Sequence, residues 1–276
     1  MLKTRIITAL VLLAVLLPVL YSNNYTAFAV VATVFFGAAI WECFRLFNPK
    51  STKAPIVAVF WTAAFAWAFF GPAQPNPVFW YAISLLLWAL RFAPSLKVGL
   101  PALDSTANTL LSVVYAVSLV GCFAAIVALF AYSPLYLLSV MAIVWAADIF
   151  AYFSGKAFGK RKLAPSISPG KSWEGAIGGG IAVLLIATLV IVFAGGSLAN
   201  TFPVRVQASL GWPATYAILV LIVAASVVGD LFESQLKRRA GMKDSSNLLP
   251  GHGGVLDRID ALVPVLPLAA LIGGWL

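Results

Sequence analysis

Charged side chains are scarce in this chain. The sequence holds 18 Lys and Arg and nine Asp and Glu among 276 residues, or 10%, where a soluble globular domain has about 25%. This scarcity excludes an ordinary water-soluble domain. One histidine and two cysteines are also too few for a zinc site of His and Cys ligands or for a disulfide framework. We expect Cys43 and Cys122 to pack as small apolar side chains.

Long hydrophobic runs make up most of the sequence. Hydrophobic residues make up 62% of the sequence, and the mean hydropathy is +0.99. Runs near or above the roughly 18 residues that cross a bilayer recur along the chain, and no alternating barrel pattern is visible. The sequence therefore predicts an all-α, polytopic transmembrane helix bundle. The nine predicted spans are 5–21, 25–47, 54–71, 77–92, 107–131, 133–155, 174–195, 213–238 and 259–276.

We expect one integral-membrane domain, residues 1–276, with N-terminal spans in 1–105 and catalytic spans in 106–276. The first three spans contain few polar residues that indicate a catalytic or binding role. With the N-terminus in the cytoplasm, all but one of the 18 basic residues fall on the cytoplasmic side, and Arg205 is the exception. The nine acids fall on that side too, which the positive-inside rule does not require. The net charge of +9 lies next to a bilayer, so it indicates anionic lipid head groups as partners and no nucleic acid.

The first polar cluster joins the sixth and seventh spans. Asp148 and Tyr152 are four residues apart and should share a helix face. After a basic loop, the segment "SPGKSWEG" places Lys171, Ser172 and Glu174 at the start of the seventh span, where backbone N–H groups and a cation could bind a phosphate. Asp148 could instead pair with a loop lysine, the loop could serve only to set topology, and Glu174 could serve only as a cap.

The second cluster ends the eighth span. Asp230, Glu233, Ser234 and Lys237 are spaced i, i+3, i+4 and i+7, so they should form a stripe on one helix face. Lys237 and Arg238 suit a helix C-terminus. That preference does not explain Asp230, because an acid two turns inside an apolar helix is costly unless it is paired or bound to a cation.

The third cluster is "KDSSNLLPGHGGVLDRID", residues 243–260. Its glycines prevent a helix and should let the backbone approach a ligand closely. Asp257 and Asp260 follow, one helical turn apart, and capping could explain one of them. Carboxylate-rich, histidine-poor sites suit Mg²⁺. Acids for a hard cation and cations for phosphates, at the inner membrane surface, indicate phosphoryl or nucleotidyl transfer on a lipid.

The second and third clusters also carry a resemblance. The window from 234 to 260 resembles the signature of the phosphatidate cytidylyltransferase family, and "LAPSISPGKSWEG" with Asp148 is similar to a second block of that family. The chain departs from the second block at Ile149 and Gly170, where the family tends to have Thr and Lys. The matching residues of the first window are Ser234, Leu236, Lys237, Arg238, Lys243, Asp244, Ser246, Leu249, Pro250, His252, Gly253, Gly254, Val255, Asp257, Arg258, Ile259 and Asp260.

The resemblance implies synthesis of CDP-diacylglycerol and pyrophosphate from CTP and phosphatidate by a Mg²⁺-dependent, multi-pass inner-membrane enzyme that tends to be a homodimer. Asp230 and Asp257 would be the metal ligands, with a second cation left open. Lys237, Arg238, Lys243 and Arg258 would contact phosphates, and Asp244, His252 and Asp260 would orient them or the metal. The expected substrate-binding residues are Asp148, Lys171, Ser172, Glu174, Ser234, Gly253 and Gly254.

Three other functions compete with this interpretation. A CTP-dependent lipid kinase would use the same metal and phosphate groups but release CDP. A transporter would have its site near the bilayer midplane between symmetric halves, which the sequence does not show. A phosphotransferase of the CDP-alcohol type would show a run of spaced aspartates, which is absent. We further expect the ends of the sixth, eighth and ninth spans to converge, so that Asp230 and Asp257 hold one ion.

Overall fold

The computed structural model describes residues 2–71, 75–193 and 195–274, without the side chains of residues 2–6 and 9. The predicted cytoplasmic cations Lys3 and Arg5 therefore lie outside the described side chains. The helices are α1 (Leu2–Ser22), α2 (Tyr25–Phe47), α3 (Ala54–Phe70), α4 (Pro77–Leu87), α5 (Ala93–Val98), α6 (Thr106–Tyr132), α7 (Pro134–Phe158), α8 (Trp173–Phe193), α9 (Phe202–Arg239), α10 (Leu256–Ile259) and α11 (Leu262–Gly273).

The predicted helical membrane fold is confirmed in its class. Six helical segments of the described chain are long and apolar enough to cross a membrane: 25–47, 77–98, 106–132, 134–158, 173–193 and 202–239. Three shorter apolar helices, 10–22, 54–70 and 262–273, lie where the remaining spans were expected. The count of nine spans and the cytoplasmic N-terminus stay predictions.

Several helices differ from their predicted bounds for local reasons. A π-helical segment, Trp88–Phe92, joins α4 to α5 just before Pro94, which has no N–H for a regular helical bond. Helix α9 starts 11 residues earlier than the predicted 213, and it is broken at Gly211, where φ is 76° and a proline follows two residues later. The expected last span begins as the four-residue α10, separate from α11.

A short β-hairpin interrupts the helices of the described chain. Strands β1 (Lys162–Ala164) and β2 (Ser168–Ser172) form an antiparallel hairpin between α7 and α8, where the sequence indicated a basic loop. A tight turn closes the hairpin, because the N–H of Ile167 donates to the carbonyl of Ala164 at 3.1 Å. Lys171 therefore stands on a strand with a defined register.

Helices α7 and α8 pack with their backbones almost in contact. A Cβ on Gly179 would lie 2.5 Å from the carbonyl oxygen of Ala147, and one on Gly175 would lie 2.8 Å from that of Ala151. Small residues allow such close approach in a membrane, where packing replaces the hydrophobic effect between helices. This contact brings the two helices that flank the hairpin together.

The polar loops lie at one end of the bundle. The hydroxyl of Thr8 donates to the carbonyl of Pro250 at 2.8 Å, and Arg239 on α9 donates to the carbonyl of Pro101 at 2.9 Å. Arg238 donates to Ile167 in the hairpin turn at 3.4 Å. The three polar clusters of the sequence therefore meet at the same end.

Candidate active site

A cavity of about 460 Å³ lies between α7, α8, α9 and the hairpin. Asp148 and Tyr152 both line it, which confirms that they share one face of α7. Lys171 of β2 and Asp230 of α9 line it as well. With Lys156 of α7, the cavity is thus lined by two acids and two lysines at the polar end of the bundle.

Lys171 and Asp230 form an ion pair across this cavity. Each side chain keeps 27% of its surface exposed. The other carboxylate oxygen of Asp230 accepts a hydrogen bond from the hydroxyl of Ser234, one turn later, at 3.2 Å. Asp148 has no ion-pair partner among the described side chains, so the alternative that it pairs with a loop lysine gains no support.

Ser172 and Glu174 hold the hairpin onto α8. The hydroxyl of Ser172 accepts a hydrogen bond from the N–H of Gly175 at 3.2 Å. The Glu174 carboxylate accepts the N–H groups of Lys160 at 3.0 Å and Arg161 at 3.1 Å. Ser172 also lines the cavity, whereas Glu174 is not among its lining residues. Glu174 therefore joins α8 to the residues before β1, a structural contact other than the helix cap that the sequence left open.

A second group of charged side chains lies along α9, beginning one turn after Asp230. The ammonium of Lys237 pairs with Glu233 on its own helix and with Asp257 on α10, the latter at 2.7 Å. The Glu233 side chain is fully buried, and those of Asp257 and Lys237 are 5% and 14% exposed. These pairs confirm the predicted stripe on one face of α9.

Asp257 is held by the preceding loop as well as by Lys237. Its Oδ2 accepts the N–H groups of Ser245 at 2.8 Å and Gly254 at 2.7 Å, and the hydroxyl of Ser245 lies 2.9 Å away. Burial by itself would raise the pKa of Asp257, but the Lys237 pair and these hydrogen bonds outweigh it, so its pKa lies below the usual value. The carboxylate is thus kept ionised in a largely enclosed place.

The glycines of "PGHGG" serve the loop's own conformation. Gly251 and Gly253 have φ values of 77° and 81°, which side chains rarely adopt. A Cβ on Gly253 would lie 2.6 Å from Oδ2 of Asp257. The close approach expected between this backbone and a ligand is, in this structure, an approach to an acid of the protein itself.

His252 contributes its backbone to the conformation of the loop. Its N–H donates to Leu249 at 2.7 Å, and its carbonyl accepts from the guanidinium of Arg258, whose Nε lies 2.8 Å away. Its Nδ1 is buried without a hydrogen-bond partner in the described structure. Lys243, Asp244 and Arg258 are exposed at the surface of the loop.

Asp260 lies against α9, next to the residue that precedes Asp230. A Cβ on Gly229 would be 2.4 Å from the carbonyl oxygen of Asp260, so the residue before Asp230 must be small. The Asp260 carboxylate accepts the N–H of Ala261 at 2.7 Å. The start of α10 and α11 therefore meets α9 where the predicted site residues lie.

Glu42 on α2 is the residue that sequence reasoning missed. It is fully buried and accepts hydrogen bonds from Ser245, Ser246, Val255 and Leu256. Its signal was an acid within a predicted span, which is a functional candidate by default. The sequence only counted it among the acids of one side, although its side chain binds the loop that carries several predicted site residues.

The donor chemistry of the site fits Mg²⁺. No group of three or more His, Cys, Asp or Glu side chains within the described residues is arranged to hold an ion by itself, but Mg²⁺ usually takes one or two carboxylates together with substrate phosphates and water. Oδ1 of Asp230 has Ser234 as its partner, and Oδ1 of Asp257 has Lys237. Each oxygen keeps a lone pair for a cation. That the two acids share one ion stays a prediction.

A bundle of apolar, span-length helices with acids and lysines gathered at one end defines a multi-pass membrane protein whose site suits a phosphorylated ligand. The family model "Cytidylyltransferase family" matches residues 3–275. The chain belongs to the cytidylyltransferase family.

Curated relatives match either nearly the whole chain or about half of it. A phosphatidate cytidylyltransferase of Haemophilus influenzae is 39% identical over 97% of this chain and 96% of its own length. Proteins of the same name match about half of the chain in Pseudomonas aeruginosa, at 51% identity over 50% of this chain and 48% of its own, and in Bacillus subtilis, at 40% identity over 49% and 46%.

Proposed function

We propose that this protein transfers the cytidylyl group of CTP to phosphatidate, making CDP-diacylglycerol and pyrophosphate for phospholipid biosynthesis. The supporting observation is a match to the cytidylyltransferase family over residues 3–275, in a chain that presents acids and lysines at one end of a membrane bundle. The substrates follow from the family and from a phosphatidate cytidylyltransferase that matches 97% of this chain.

In this transfer an anionic oxygen of phosphatidate attacks the α-phosphorus of CTP. The bond from that phosphorus to the oxygen bridging the β-phosphate breaks, and pyrophosphate leaves with the electron pair. Because the nucleophile is already an anion, a strong general base is unnecessary. We therefore assign His252, whose Nδ1 has no partner within the described residues, to positioning a phosphate and not to removing a proton.

The lysines and arginines of the site would supply positive charge to the phosphates. Lys171 borders the cavity and pairs with Asp230 alone among the described side chains, so it can turn toward an entering phosphate. Arg238, Lys243 and Arg258 are exposed around the loop, where they could meet the triphosphate or the lipid phosphate. Fixed cations of this kind lower the barrier by balancing the charge that develops as pyrophosphate leaves.

Mg²⁺ is proposed as the cofactor, with Asp230 and Asp257 as its protein ligands. When bound, it would neutralise phosphate charge and help align the reacting groups. Asp148 lines the cavity with Asp230 and is free of an ion pair in the described chain, so it is suited to orienting the substrate next to the ion. Asp244 and Asp260 are proposed to orient the phosphate-binding groups.

We propose that the protein resides in the inner membrane as a homodimer, with its N-terminus and active site facing the cytoplasm. The near-complete segregation of basic residues supports this orientation. CTP is a cytoplasmic, charged molecule, whereas phosphatidate stays in the membrane. A site at a polar end of the bundle gives both substrates access.

Purified protein in detergent, incubated with CTP labelled at the α-phosphate, phosphatidate and Mg²⁺, tests the function. We expect lipid-linked CMP and an equal amount of pyrophosphate. Release of CDP with phosphate transferred to the lipid would identify a kinase instead. Asp257→Asn is expected to be nearly inactive, and activity near wild type at saturating Mg²⁺ would refute its assignment as a ligand.

A further inference from the structure

Glu42 is an acid in the N-terminal part of the bundle that is enclosed by a loop from the C-terminal part. Its side chain is 0% exposed. Oε1 accepts hydrogen bonds from the hydroxyl of Ser246 and from the N–H of Val255, the latter at 3.0 Å. Oε2 accepts the N–H of Leu256 at 2.6 Å, with the hydroxyl of Ser245 at 3.1 Å. All four donors belong to residues 245–256.

Such an arrangement has to be explained, because an ionised carboxylate is costly to bury unless its lone pairs are satisfied. Glu42 has no ion-pair partner among the described residues, so the loop itself supplies the compensation. Hydrogen bonds to a charged group are about twice as strong as neutral ones. Four of them fix the loop to α2 more firmly than an apolar contact would.

The same loop residues hold Asp257. Ser245 donates its N–H to Asp257 Oδ2, and its hydroxyl lies between the carboxylates of Asp257 and Glu42, at 2.9 and 3.1 Å. Gly254 donates to Asp257, and the next two N–H groups donate to Glu42. Any displacement of the loop from Glu42 would therefore displace the donors that orient Asp257.

Gly254 shows how little room this arrangement has. A Cβ at this position would lie 2.2 Å from Glu42 Oε1 and 2.2 Å from the hydroxyl of Ser245. Arg45, one turn after Glu42 on α2, donates to the carbonyl of Ser245 and adds a second connection. Two side chains of α2 thus hold one point of the loop.

We propose that Glu42 is a positioning residue for the cytidylyl transfer. It does not line the cavity or contact the reacting groups. It fixes residues 245–256 so that Ser245 and Gly254 hold Oδ2 of Asp257, which leaves Oδ1 directed to Lys237. This inference rests on the proposed function for its effect on turnover, but the attachment of the loop is a property of the fold.

The first experiment measures Glu42→Gln against Cys43→Ser, a control at the next, equally buried position of α2 whose thiol faces Ser112 instead of the loop. The amide that replaces the carboxylate keeps one acceptor oxygen and turns its NH₂ toward donors, so we expect kcat per folded molecule to fall about 10- to 100-fold, as for other supporting partners of a site. The control should stay within about threefold. Equal activity of Glu42→Gln and wild type would overturn the proposal.

A serine pair keeps the proposal testable if Glu42→Gln does not fold. Ser245 and Ser246 both donate to Glu42, but of the two hydroxyls only that of Ser245 also contacts Asp257 in the described structure. Ser245→Ala should therefore lower kcat several-fold more than Ser246→Ala at similar cost in melting temperature. Equal losses of kcat would mean that Glu42 acts on stability alone.

Hydrogen exchange separates this proposal from the proposed function. The amides of Val255 and Leu256 should exchange at least tenfold faster in Glu42→Gln than in the Cys43→Ser control. Faster exchange in a protein that makes no CDP-diacylglycerol would retain the attachment and refute the function. An active wild type with unchanged exchange in Glu42→Gln would refute the attachment.

Discussion

Two acid–lysine pairs of similar composition stand side by side in this protein, in very different surroundings. Lys171 and Asp230 border an open cavity, and 27% of each side chain is exposed. Lys237 and Asp257 are enclosed, at 14% and 5%, and Lys237 also neutralises Glu233. The open pair can exchange its partners for a substrate phosphate or a cation. The closed pair holds α9, α10 and the loop in one arrangement, so Asp257, the second proposed ligand, is fixed in position.

Replacing the acid of either pair should have the largest effect on activity, and Asp230→Asn is the test at the open pair. We expect Asp230→Asn to lower kcat/KM by about 10³-fold, because the carboxylate proposed to hold the cation that balances phosphate charge is lost. The melting temperature should change little, since the side chain borders solvent. CMP–lipid formation and thermal unfolding in detergent measure the two effects. Asp104→Asn, at an exposed loop acid, is the control and should retain activity; a similar loss there would show a general charge effect.

Replacing Lys237 of the enclosed pair should lower stability more than replacing Lys171 of the open pair. Lys237→Met leaves two buried acids without their cation, which costs about 3–5 kcal/mol. Lys171→Met breaks a partly exposed pair and should cost about 1 kcal/mol or less. Unfolding free energies of the two variants make the comparison. If both lose the same stability, the distinction between an open and a closed pair is wrong.

A methyl group added at Gly254 tests how closely the loop packs against Glu42 and Ser245. Gly254→Ala should destabilise the protein by about 1–3 kcal/mol, because the new Cβ overlaps Glu42 and Ser245. Gly170→Ala is the matched control at the open cavity, where a Cβ meets nothing within 4 Å. We expect that control to change stability by no more than about 0.5 kcal/mol. An equally tolerated Gly254→Ala would contradict the close approach of Glu42.

Low pH should produce the smallest of these effects, a loss of the stability that the Asp257 carboxylate contributes. Its pKa in the folded protein lies below the usual value. Its contribution to stability is therefore complete above the unfolded pKa of about 3.9 and is lost as pH falls through the lower folded pKa. The difference in melting temperature between wild type and Asp257→Asn should stay constant from about pH 8 to 5 and shrink below about pH 4. A difference that already shrinks near neutral pH would contradict the lowered pKa.

The sequence predicted the helices better than their ends. Apolar runs of span length located α2, α6 and α7 within a few residues, because membrane backbones have few alternatives to a helix. The break at Gly211 and the hairpin before α8 were missed. A glycine with positive φ and a short strand depend on neighbouring segments, which periodicity along one helix does not record.

Local spacing also predicted parts of the site. The shared face of Asp148 and Tyr152 and the stripe on α9 follow from the helical repeat, and both are present. The pairing of Lys171 with Asp230, 59 residues apart in the chain, does not follow from any spacing. It depends on the register of β2 and on the contact between α7 and α8.

By itself the sequence determined the membrane class, the helical fold and the residue types from which the site is built. Hydropathy and helical periodicity involve residues that are close together in the chain, so the sequence alone shows them. Only the tertiary structure decided which acid is exposed in a cavity and which is enclosed, and that Glu42 holds a loop more than 200 residues away. Burial and hydrogen bonding of a charge depend on every segment that packs around it, and those segments meet only in the folded bundle.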